Sequence, residues 1–97
     1  DTIDALQKFR ASKAILGASG VTAEGPSDAG IGPGLIYGAM MRRSAETIVV
    51  ADRSKIGRIS LAVYGAWSEN VTLITDQALP EALQAHLAAA EAKVVVA

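Results

Sequence analysis

The chain has 97 residues, 51% of them apolar, no cysteine and one histidine, His86. That is enough for one compact core without covalent staples, and it excludes a disulfide framework, a thiolate metal centre and an imidazole cluster. Nine basic against ten acidic residues leave a net charge of -1, so this piece offers no electrostatic footprint for a phosphodiester backbone. Its longest apolar runs, Thr47–Ala51 and Val94–Ala97, fall far short of the roughly 20 residues of a membrane helix.

In chain order, Ile3, Leu6 and Phe9 recur at three-residue steps and predict a short amphipathic helix with Lys8 and Arg10 in solvent. The absence of a basic flank before an apolar stretch argues against a secretory signal, and a chain opening without Met reads as a piece of a longer polypeptide. Lys13–Gly17 is a brief apolar run closed by small residues, the pattern of a buried strand. Gly20, Gly25, Pro26, Gly30, Gly32, Pro33 and Gly34 punctuate Ser19–Gly34 and predict a loop or lid. A helix is expected over Leu35–Ala45, with Ile36, Ala39, Met40 and Arg43 on one face and basic residues at its C-terminal end.

The β-branched run Thr47–Ala51 predicts a central parallel strand that places Asp52 at its C-terminal edge. Ile59, Leu61 and Val63 alternate with Ser60, Ala62 and Tyr64, which predicts a strand with one face buried. Val71–Thr75 is a further strand closed by Asp76. Pro80 introduces a helix carrying Leu83, Leu87 and Ala90, and Lys93–Val96 is a closing strand. This alternation argues for crossover units around a largely parallel sheet.

In such a sheet the ligand site lies beyond the carboxyl ends of the strands. Two loops there carry suitable residues. Gly17-Ala18-Ser19-Gly20 has side chains small enough for backbone amides to approach an anion, although the same glycines also serve simply to shape a turn. Asp52-Arg53-Ser54-Lys55-Ile56-Gly57 offers a carboxylate for sugar hydroxyls, a hydroxyl for phosphate oxygens and a compact ammonium charge. The plainer reading is that Asp52 caps the turn and Lys55 is solvated.

At these residues the chain resembles a known family. Lys13–Val21, Ala39–Ser44, Ile48–Gly57 and the junction Leu73–Asp76 with Leu79-Pro80 resemble, in order, successive segments of the effector-binding domains of DeoR/GlpR-type transcriptional repressors. The resemblance implies a Rossmann-like α/β domain related to ribose-5-phosphate isomerases and CoA transferases, in which a phosphorylated sugar binds and relieves repression. It implies that residues 1–97 are part of one sensor domain, while a winged-helix DNA-binding domain and an earlier glycine-rich phosphate loop lie outside this chain. It carries ligand-binding roles to Gly17, Ser19, Gly20, Asp52, Ser54, Lys55 and Gly57. Where the family often has acidic and lysine residues at the start of its helix, this chain has Gly34, Leu35 and Tyr37, so contacts from that helix are not carried over.

The expected partners are therefore a phosphorylated sugar, operator DNA only through the separate domain, and further copies in a cytoplasmic homo-oligomer. No cofactor, metal or catalytic residue is expected. Two enzyme readings compete. A serine hydrolase fails because Gly17-Ala18-Ser19-Gly20-Val21 lacks the final glycine of the nucleophile elbow and His86 would be its sole base. A sugar-phosphate isomerase needs a carboxylate base, for which Glu24 and Asp28 in the loop are the candidates. As a third reading, the helix Glu81–Ala92 with Tyr64 and Trp67 could form a subunit interface, against which stands the use of scarce aromatics to fill the domain's own core.

Overall fold

The computed structural model describes residues 2–6 and 11–97. A one-turn helix α1 (Thr2–Leu6) opens the chain, and the remainder of the expected first helix, with Phe9, lies outside the described residues. There follow β1 (Ala11–Gly17), β2 (Gly20–Thr22), β3 (Gly25–Asp28), α2 (Ile31–Arg43) and β4 (Ser44–Val50). A 3-10 turn (Arg53–Lys55), β5 (Ala62–Val63), β6 (Val71–Thr75), α3 (Glu81–Ala89) and β7 (Lys93–Val96) complete it.

Four strands form a parallel sheet in the order β1-β4-β6-β7. The order follows the sequence without reversal. Right-handed crossovers that all step in one direction must all lie on one face of a sheet, and the packing agrees. Ala14 and Leu16 of β1 meet Tyr37, Met40 and Met41 of α2, while Val49, Val71 and Leu73 pack with Leu87 of α3 and with Trp67. The register puts Leu16 beside Val49 and Val49 beside Leu73, so both helices cover the same side. On the opposite side Ile15, Val50 and Val95 are exposed. The expected α/β class with a parallel sheet is present, with its helices on one face among the described residues.

The glycine-rich stretch expected as a loop is instead structured. β2 and β3 form a hairpin, with Gly20 opposite Ser27 and Thr22 opposite Gly25, and β5 extends it into a three-stranded antiparallel sheet. Gly25 sits at φ +142, where a side chain is strained, and a Cβ there would run into the Gly65 carbonyl. The hairpin is tied to the body by Trp67, whose Nε1 donates to the Thr22 carbonyl at 2.7 Å. Tyr64 and Trp67 are both buried in the domain's own core.

α2 begins at Ile31 rather than Leu35. Pro33 falls in its first turn, where a missing N–H costs nothing, and the Asp28 carboxylate accepts from the Gly30 N–H at 2.9 Å just ahead of it. Gly34 was expected in the loop, yet it stands inside the helix with Gly38, and the β5 segment lies against both. A Cβ on Gly34 would be 2.8 Å from that of Ala62, and one on Gly38 would be 3.0 Å from the Tyr64 carbonyl oxygen.

The strand expected over Ile59–Tyr64 pairs at Ala62 and Val63 only, and its apolar side is the outer one: Ile59, Leu61 and Val63 are exposed while Tyr64 is buried. Periodicity located the two faces correctly but could not tell which of them the core takes, because the glycine face of α2 accepts the smaller Ala62. Among the described residues no helix is long and apolar enough to cross a membrane.

Candidate functional site

Parallel pairing fixes which residues lie level at the carboxyl ends of the strands. Gly17 pairs with Val50 and Val50 with Ile74. Two residues on in sequence from these level positions, past the strand ends, are Ser19, Asp52 and Asp76. The two aspartates are joined through backbone: the Arg53 N–H donates to Asp76 Oδ1 at 2.7 Å. Asp76 was not among the expected ligand residues. Its signal was the repetition of one pattern, an apolar strand closed by aspartate, on two neighbouring strands.

Asp52 caps the 3-10 turn. Its Oδ1 accepts from the Ser54 N–H at 2.8 Å and from the Ser54 hydroxyl. These two bonds, followed by the nearby Lys55 and Arg53 charges, hold the carboxyl below its ordinary value, so it is an anion throughout the neutral range. The capping role expected as the plainer reading is thus present at Asp52. The Ser54 hydroxyl spends its proton on Asp52 and is left to act as an acceptor.

The backbone amides of this loop are already committed. Lys55 N–H donates to the Asp52 carbonyl at 3.0 Å, Ile56 to Arg53 at 3.2 Å, Gly57 to Val21 at 2.7 Å and Arg58 to Lys55 at 3.1 Å. With Arg53 and Ser54 bonded to carboxylates, no N–H from Arg53 to Arg58 is free for an anion. Positive charge for a ligand must come from side chains, namely Lys55 and Arg53. Gly57, at φ +81, supplies the left-handed turn that lets its N–H reach Val21.

The two expected loops are brought together. Val21 bridges Ile56, Gly57 bonds Val21, and a Cβ on Gly20 would strike the Arg58 carbonyl. The Ser19 N–H donates to the Ser27 carbonyl at 2.8 Å, so the glycine bend is also partly satisfied from within. Ser27 is a buried hub that sequence reasoning passed over. Its hydroxyl donates to the Gly20 carbonyl at 3.2 Å and accepts from the Ser60 N–H at 3.3 Å, pinning the bend to the segment after the 3-10 turn. Gly17 meets open space and its carbonyl accepts from the Tyr64 hydroxyl at 2.7 Å.

Two crevices flank the aspartates. One of about 230 Å³ runs over the strand ends and is lined by Val50, Asp52, Ile74, Thr75 and Asp76. Another, of about 310 Å³, lies between Arg53 and Ile56 on one side and Gln77–Pro80 on the other. Together they offer two carboxylates, a guanidinium and apolar walls, a set suited to a small polyol bearing an anionic group. Among the described residues no group of His, Cys, Asp and Glu is arranged to hold a metal ion.

The residues named for the enzyme readings lie outside this site's crevices. Asp28 holds the helix start, Glu24 is exposed in the hairpin turn, and His86 is exposed on α3.

Comparison with known proteins turns on the same segments. The family described as the DeoR C terminal sensor domain matches residues 1–77, which include both loops and Asp76. The chain belongs to that family. It is also 31% identical over 75 residues to the HTH-type transcriptional repressor GlcR of Bacillus subtilis (strain 168), a match covering 77% of this chain and 29% of that protein. The sensor-domain chain thus spans under a third of the length of this curated relative. No solved structure matches it.

Proposed function

We propose that this sensor domain binds a phosphorylated sugar across the carboxyl ends of β1, β4 and β6 and transmits that binding to a DNA-binding domain elsewhere in a cytoplasmic repressor. The observation that carries the reading is the coincidence, in a member of this family, of Asp52 and Asp76 at the ends of neighbouring parallel strands, linked through the Arg53 N–H, with Arg53 and Lys55 in the turn after Asp52 and the Gly17–Gly20 bend held against that turn. The sheet is of the Rossmann-like, isomerase-related kind, and residues 1–97 form part of one such domain.

Lys55 pairs with the phosphate, assisted by the Ser19 hydroxyl, in the bend whose small residues Gly17 and Gly20 allow close approach and beside the turn that Ser54 and Gly57 shape. Asp52 reads sugar hydroxyls. The chemistry is recognition without turnover, since Glu24 and Asp28, the candidate bases, are a turn residue and a helix-start acceptor. Binding alters repression only if the ligand prefers one arrangement of sensor and DNA-binding domain over the other.

Calorimetric titration of the protein with a panel of pentose and hexose phosphates, repeated with Lys55→Ala, tests this. Loss of one charge-assisted bond, worth about 1.5–3 kcal/mol, weakens the best ligand roughly 10- to 150-fold. Equal affinity in the variant removes Lys55 from the site, and absence of binding by every sugar phosphate overturns the reading.

A further inference from the structure

We propose that the crevice between Arg53 and the Gln77–Pro80 loop is a subsite for a second acidic group on the ligand. The effector is then a sugar that is anionic at both ends, a bisphosphate or a phosphorylated aldonic acid. This rests on the sugar-phosphate reading of the strand ends and extends it. The two crevices beside the aspartates are opposite in charge. The one over the strand ends has Asp52 and Asp76 in its wall and no basic residue. Its neighbour, of about 310 Å³, has Arg53 and no acidic residue, and Ile56, Ala78, Leu79 and Pro80 make the rest of its wall largely apolar.

Hydrogen bonding separates the two sides of this crevice in the same way. Every N–H from Arg53 to Arg58 is spent inside the fold. Among the described residues, by contrast, no hydrogen bond takes up the N–H of Gln77, Ala78 or Leu79. The Arg53 backbone is fixed by its bond to Asp76 Oδ1 at 2.7 Å, but its guanidinium makes no hydrogen bond or ion pair with a described residue. A free guanidinium, a carboxamide and uncommitted amides among apolar side chains leave a positive charge with donors to spare. That is the complement of a phosphate or a carboxylate.

Topology puts this charge on the far side of the site from the bend. β4 lies between β1 and β6, so the Gly17–Gly20 bend after β1 and the Gln77–Pro80 loop after β6 flank the Asp52 turn from opposite sides. The crevices meet at consecutive residues, Asp52 and Asp76 walling one, Arg53 and Gln77 the next. A small ligand whose hydroxyls lie against the aspartates has one end toward Lys55 and the bend and the other toward Arg53. Lys55 lines neither crevice, so its ammonium and the guanidinium serve different groups.

Calorimetry with each sugar monophosphate of the same panel, beside the matching bisphosphate and phosphoaldonate, reads the subsite as a ratio of affinities. At least one doubly acidic ligand should bind roughly 10- to 150-fold more tightly than its monophosphate, the worth of one charge-assisted bond. Arg53→Gln, which keeps the backbone bond to Asp76, should bring that ratio close to one. In the unaltered protein, the amide resonances of Gln77, Ala78 and Leu79 should shift when the doubly acidic ligand replaces the monophosphate, which decides the matter even if the variant fails to fold. Equal affinities, an advantage that survives Arg53→Gln, or resonances that stay in place overturn the subsite and leave the sugar-phosphate reading standing. Binding of no sugar phosphate at all overturns that reading and this one with it. Inorganic phosphate that tightens the monophosphate to the same degree puts a separate ion at Arg53 and overturns the doubly acidic ligand.

Discussion

Tyr64 does three things at once: it closes the core under β1, meets Tyr37 edge-on at 5.4 Å, and donates its hydroxyl to the Gly17 carbonyl. Burial, followed by the Asp28 and Tyr37 charges, raises its phenol far above the ordinary value. A raised value in the fold means that its contribution is complete below about pH 10 and is lost as pH climbs beyond it. Tyr64→Phe should therefore flatten the alkaline limb of stability measured by urea unfolding, at a cost near neutrality of about 1 kcal/mol for the lost hydrogen bond. Asp52 works in the opposite direction. Its lowered value adds stability above about pH 4 that disappears as pH falls through the folded-state value, so Asp52→Asn should lower stability in the neutral range and flatten that part of the acid dependence, as measured by urea unfolding at several pH values. At Gly25 the backbone conformation and the neighbouring carbonyl both exclude a methyl group, and Gly25→Ala should cost about 3 kcal/mol in thermal or denaturant unfolding.

Among the elements, α2 shows how packing decides between opposed preferences. Alanine is favoured over glycine in a helix by about 1 kcal/mol, but at Gly34 the added carbon meets Ala62. Gly34→Ala should consequently lower the midpoint of urea unfolding, by about 1 kcal/mol net, since α2 must lift from β5. Elements whose signals were local were legible in the sequence: the apolar runs of β4, β6 and β7 and the amphipathic α3 fall within a few residues of their expected places. The hairpin was not, because glycine and proline mark turns, and only the distant bonds from Trp67, Tyr64 and Ser60 make strands of the residues between them. The site divided in the same way. Asp52, Lys55 and the glycine bend were legible as types in a pattern, whereas the bond from the Gly57 N–H to Val21 and the arrival of Asp76 at the Arg53 N–H depend on contacts between segments more than twenty residues apart.

For the molecule as a whole, stability concentrates where two paired strands and one covered face coincide. β4 and β6 hold the centre of the sheet and include Val49 and Leu73, both fully buried. Amide exchange should be slowest there and faster along β1 and β7, each of which has one unpaired side among the described residues.

The unreversed strand order has a consequence for geography. A sheet that winds in one direction only has no point at which neighbouring crossovers part to opposite sides, and that parting is what opens a cleft in doubly wound proteins. Any strand laid outside β1 and connected across the vacant face would create the divide directly above Gly17–Gly20. The bend that is now a rim would become the floor of a gorge, with Asp52 and Lys55 along one wall.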